Sequence, residues 1–165
     1  MRKALGILVI GLATVVAASV WLHAQSGASA LQGAWTVQSV TSPQPPVNQR
    51  NNPKGLMVIS GNHYAEVGVG DTMRPSFPDG GAAKATADQL RAVWGPVIAD
   101  AGTFTVTGNT IKLTALVAKG TAGMAPGNFV EGTFTISSDT LTVTQVRNQA
   151  GPIANPVTVR SVRAK

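Results

Sequence analysis

The residue types able to do acid–base, nucleophilic or metal chemistry are few in this chain of 165 residues. There is no cysteine, and the two histidines are His23, next to an apolar amino-terminal run, and His63. The glutamates are Glu66 and Glu131. An imidazole works as a base when an acidic partner orients it, and no acid is spaced to do so for His63, which sits beside a Gly61-Asn62 turn. One histidine and dispersed carboxylates do not build a tetrahedral metal site. Gly120-Thr121-Ala122-Gly123 is followed by no Lys-Ser/Thr pair and no helix, so it reads as loop and not as a phosphate cradle. No catalytic residue, metal ligand or cofactor is nominated. The polar pair with most promise is Gln145 and Arg147, two residues apart and so on one face of an extended strand, where they form a donor pair for a carboxylate or carbonyl.

Positioning such a pair requires strands, and the chain supplies them. Short runs of β-branched and aromatic residues recur between Gly, Pro, Asn, Asp and Ser, the pattern of an all-β meander. Eight strands are expected, at residues 34–41, 55–60, 63–69, 103–107, 110–117, 129–137, 140–147 and 157–163. Ile111, Leu113, Ala115 and Val117 share one face opposite Lys112 and Thr114. One segment departs from the period of two: Leu90, Val93, Trp94, Val97 and Ile98 form a helical stripe. Thr86-Ala87-Asp88-Gln89 has capping-box spacing, and Gly95-Pro96 should end the helix near Trp94, with a second short turn carrying Val97 and Ile98.

Connection lengths alternate. Gly61-Asn62, Gly108-Asn109 and Ser138-Asp139 have tight hairpin chemistry, whereas 42–54, 70–102, 118–128 and 148–156 are long. In an up-and-down meander all tight turns fall at one end and all long loops at the other. The expectation is an eight-stranded antiparallel barrel, closed at one end, with the helix between strands three and four over the open mouth. Alternation points Val37, Leu113, Phe134, Leu141, Val143, Gln145 and Arg147 inward, joined by Phe104 and Val106. Val37, Phe104, Leu113, Phe134, Val143, Gln145 and Arg147 are the expected ligand contacts, with Trp94 as a lid or plug.

Met1-Arg2-Lys3 followed by uncharged residues 4–22 and small residues at Ala24 or Ala28-Ser29-Ala30 reads as a secretory signal at 1–24, with cleavage as late as 30 and a domain over 31–165. An uncleaved inner-membrane anchor is the alternative. Without 1–24 the formal charge is +4, from scattered basic residues. That argues against nucleic acid and, after signal removal, nothing argues for stable membrane insertion.

Gly33-Ala34-Trp35 at the start of the first strand resembles the G-x-W signature of lipocalins, in which the Trp closes the barrel floor under an Arg from the last strand. Closure sets strand eight beside strand one, so Arg163 is paired with Trp35, with Arg160 as the alternative. More widely, 53–59 with Gly61-Asn62-His63-Tyr64, and 97–106, resemble the bacterial lipocalin-like domain family over nearly all of 31–163. A histidine that many members carry after the second passage is replaced here by the Ile111-Lys112-Leu113-Thr114-Ala115 run. The resemblance implies a secreted or periplasmic barrel binding a small hydrophobic or amphipathic molecule without catalysis. A barrel cyclase or isomerase is a second reading, to be favoured if His63 or Glu66 points inward with a shifted pKa. A protein-binding or inhibitor module using loops 42–54 and 70–80, with Met73, Phe77 and Met124 at exposed tips, is a third.

Overall fold

The computed structural model describes residues 27–43, 48–51, 53–69 and 75–165. The expected signal at 1–24, Met73 and parts of both long loops lie outside the described residues. The strands are β1 (Gly33–Ser42), β2 (Asn48–Asn51), β3 (Gly55–Ser60), β4 (His63–Val69), β5 (Val97–Thr107), β6 (Thr110–Ala118), β7 (Val130–Ser137), β8 (Thr140–Asn148), β9 (Gly151–Pro152) and β10 (Thr158–Arg163). β1 and β3 to β8 pair in succession, and β10 joins β8 to β1. The result is an antiparallel barrel of eight strands, with no exposed edge along its main circuit. β2 extends the ladder on β1, and β9 that on β8.

A helical turn at 27–31, α1, precedes the barrel, and α2 (Ala87–Trp94) lies between β4 and β5. The α2 capping box is present: Gln89 N donates to Thr86 Oγ1 at 3.3 Å and Thr86 N donates to Gln89 Oε1 at 2.8 Å. The expected second helical turn is not. Val97 and Ile98 begin β5, paired with Val69 and Gly68 of β4. A stripe that skips Gly95-Pro96 fits a helix in spacing alone. Once Pro96 has broken the helical ladder, β-branched Val97 and Ile98 take their backbone partners from the neighbouring strand.

The tight turns carry left-handed backbone at Gly61 (φ 60°), Gly108 (φ 60°) and Ser138 (φ 52°), as two-residue hairpins require. Each also accepts a hydrogen bond from a neighbouring part of the barrel: Asn62 O from Phe104 N of β5, Asn109 O from Phe134 N of β7 and Asp139 O from Arg163 N of β10, at 2.8–2.9 Å. Above this stitched end sits the core, Leu31, Trp35, Ile59, Tyr64, Phe104, Ile111, Phe134 and Leu141, with Met57, Leu113 and Val143 against it. Large side chains fill the closed half, and Val, Gly and polar residues line the open half.

Three residues interrupt the ladders. Gln38 in β1, Leu116 in β6 and Val146 in β8 have no partner where the facing strand advances by one residue. Each is a β-bulge, which reverses the inside–outside parity of everything beyond it. Gly102 sits opposite the β6 bulge, where a Cβ would lie 2.0 Å from Thr114 O. Only glycine admits that approach.

Candidate functional site

The open end holds a cavity of about 280 Å³, walled by Val37, Val40, Val69, Ile98, Val157 and Val159, with Pro53, Lys54 and glycines 55 and 68 at the rim. Its polar side chains are Glu66, Asp100, Gln145 and Lys54. Below it the barrel narrows to an interior space of about 60 Å³, bounded by Met57, Ile59, Leu113 and Leu141, which shares Val37, Glu66, Gln145 and Val159 with the mouth. That lower space has room for about two waters. The closed half is a packed core and the mouth is the chamber.

Glu66 and Asp100 face each other directly across the β4–β5 ladder. Their inward orientation follows from neighbours: Glu66 shares a face with buried Tyr64, and Asp100 with Gly102 and Phe104. Burial, and then the Asp100 charge, push Glu66 from its ordinary 4.5 up to about 7. Burial also raises Asp100, while a hydrogen bond donated by the Tyr64 hydroxyl pulls it back down. Tyr64 itself is pushed well above its ordinary range by burial and by these carboxylates, so it stays a neutral donor. Desolvation and like charge disfavour a second ionised carboxylate in one apolar site.

The expected ligand contacts divide. Val37, Leu113, Val143 and Gln145 line the interior. Phe104 and Phe134 are 6% and 7% exposed within the floor core and reach neither cavity. Arg147, expected at the mouth, is on the outer surface. The Val146 bulge turns it to pair with Glu131, at 3.6 Å, beside the Phe129 ring, which also carries Lys112 at 4.2 Å. Val117, expected inside, is likewise turned out by the Leu116 bulge and is 59% exposed. Trp94 lines a different space: a groove of about 620 Å³ running from the rim onto the outer face of β3 and β4, with Leu56 and Val67. Half of it is exposed, and the Phe77 ring lies 6.5 Å away. The buried knob of α2 is Val93. The end of α2 is tied down by Lys119, whose Nζ donates to the carbonyls of Trp94, Gly95 and Val97 at 2.5–2.9 Å. His63 is exposed at its turn.

At the floor, Trp35 is fully buried and pairs with Arg163 across β1–β10. The Arg163 Cζ lies 4.3 Å over the Trp35 ring, and its Nη1 and Nη2 donate to Gln32 O and Ala30 O at 2.7 and 3.2 Å. Arg160 is exposed and pairs with Ser39. Gly33 has φ 115°, and a Cβ there would sit 2.9 Å from Arg163 Nη1, which is a physical reason for glycine two residues before the tryptophan. The floor also includes α1: the Trp35 indole donates to Leu31 O at 2.7 Å, and Leu31 is fully buried. The folded unit therefore includes residues before 31.

Sequence reasoning weighed Glu66 only as a sign of a barrel enzyme, should it point inward with a shifted pKa, and did not single out Asp100. In β4 the residues that look core-like, Ala65 and Val67, face outward, with Val67 54% exposed. Asp100 lay in a stretch read as helix and turn. The available signal was Tyr64: a barrel aromatic beside a turn fixes the inward parity of β4 and hence of Glu66. No protein-family model, curated protein or solved structure matches this chain.

Proposed function

We propose that this chain is an exported, lipocalin-like barrel that binds a small apolar or amphipathic molecule at its mouth without changing it. The observation that carries this reading is the mouth cavity of about 280 Å³, apolar on its walls and with a few converging polar groups, the composition expected of a ligand site. Its size, at the lower edge of ligand pockets, favours a compact ligand. The polar end of that ligand would meet Glu66, Asp100 and Gln145. Trp94, in the adjoining groove, would bound its path of entry, with α2 acting as a lid at the rim.

Export through cleavage of residues 1–24 suits this architecture better than cleavage at 30. The later cut would remove Ala28 to Ala30, whose carbonyls at 28 and 30 accept hydrogen bonds from Gln32 and Arg163. The test is native mass spectrometry of the mature protein from its own host, with extraction of anything bound. A single co-purifying small molecule is the expected result. A clean apo mass, with no uptake of small aromatic or aliphatic probes, would reject the binding reading.

A second reading has one observation of its own. Glu66 faces a cavity with its pKa at about 7, where a carboxylate serves well as a general base. An isomerase acting on a hydrophobic substrate would lose turnover in Glu66→Gln. A co-purified molecule recovered unchanged after long incubation would count against it.

A further inference from the structure

We propose that the mouth selects ligands whose polar end is a protonated amine, held between the Glu66 and Asp100 carboxyl groups, and that it turns carboxylates away. The inference rests on the mouth being the ligand site and adds the chemistry of the head group. Removal of Arg147 to the outer surface takes away the guanidinium that would have welcomed an anion. What remains facing the space is acceptor-rich: two carboxyls opposite each other on β4 and β5, and the Gln145 amide from β8. Among the described residues, Lys54, exposed at the rim before β3, is the cation lining the space, and the neighbouring Tyr64 hydroxyl is engaged with Asp100. β1 and β10 contribute Val37, Val40 and Val159 to the same space.

Glu66 lines both the mouth cavity and the narrower space below it, so its carboxyl faces open volume. Ionised carboxylates only accept hydrogen bonds, whereas an ammonium carries three donors and no acceptor. An apolar wall around that contact removes water and strengthens it. The same wall makes a third negative charge costly.

Proton exchange gives the site a signature. Near neutral pH the empty pair retains part of a proton on Glu66, and a bound cation favours the fully ionised pair. Binding of an amine therefore releases a fraction of a proton, and affinity rises with pH through the Glu66 titration.

The experiment uses benzylamine, benzyl alcohol and benzoate, one skeleton with cationic, neutral and anionic heads, titrated calorimetrically into the mature protein at pH 6 and pH 8. The expected order is amine, alcohol, then benzoate without detectable binding. The amine should gain several-fold between pH 6 and 8, and lose about tenfold or more in Glu66→Gln and Asp100→Asn, a clearly larger loss than benzyl alcohol shows in the same variants; equal losses for the two probes would overturn the head-group proposal. Equal binding of all three probes, or benzoate binding best, overturns the head-group proposal and leaves the mouth as a ligand site. Failure of all three overturns both.

Discussion

At the closed end of the barrel the Trp35 indole donates to Leu31 O, Arg163 stacks on its ring while donating to two carbonyls, and each tight turn accepts from a neighbouring strand. At the open end of the same strands, Glu66 and Asp100 face each other across apolar walls, and burial raises both pKa values. Floor polar groups are paired before any ligand arrives, and mouth polar groups are held in surroundings that disfavour their charge. The first arrangement maximises stability. The second costs stability and is the kind retained at sites that bind.

The largest effect should come from breaking the floor. Trp35→Ala is expected to destabilise the fold by about 3–5 kcal/mol, measured by urea unfolding. A loss under about 1 kcal/mol would mean that the floor is not where the barrel is held. The next test lies at the mouth. The folded pKa of Glu66 is raised from 4.5 to about 7, so the unfolded chain gives up this proton first as pH rises. Stability should therefore fall between about pH 4.5 and 7 by about 2–3 kcal/mol and stay lower above it. Glu66→Gln should flatten that slope and be the more stable protein at pH 8, and parallel slopes in the two proteins would remove the contrast between the ends.

Smaller effects sharpen the comparison. Arg163→Ala removes a cation–π stack and two hydrogen bonds, at about 1–2 kcal/mol, and should leave the pH slope untouched. Lys119→Met frees three carbonyls at the end of α2. Its signature should be faster hydrogen exchange in α2 and a change in Trp94 emission, with global stability moved by less than about 1 kcal/mol. Arg147→Ala is expected to change stability by no more than about 0.5 kcal/mol, with binding of the benzyl probes unaltered. Weakened binding there would return Arg147 to the mouth.

The sequence alone specified the eight strands of the barrel circuit, the hairpin chemistry, the α2 cap and which end is closed, because turns and alternation are written in residues near one another; β2 and β9 lie in stretches that read as long loops. It also placed Trp35, Val37, Leu113, Val143 and Gln145 on the inner face, since all of them lie on the floor side of the bulges. Tertiary structure decided the rest. Bulges at Gln38, Leu116 and Val146 arise where neighbouring strands of a closing barrel fall out of step, and no local pattern announces them; they moved Arg147 and Val117 outward and Val40 inward. The start of β5 was settled by pairing with β4 and not by its own periodicity. The meeting of Glu66 with Asp100 depends on a register between segments 34 residues apart. Their raised pKa values depend on burial, which exists only once the barrel has closed.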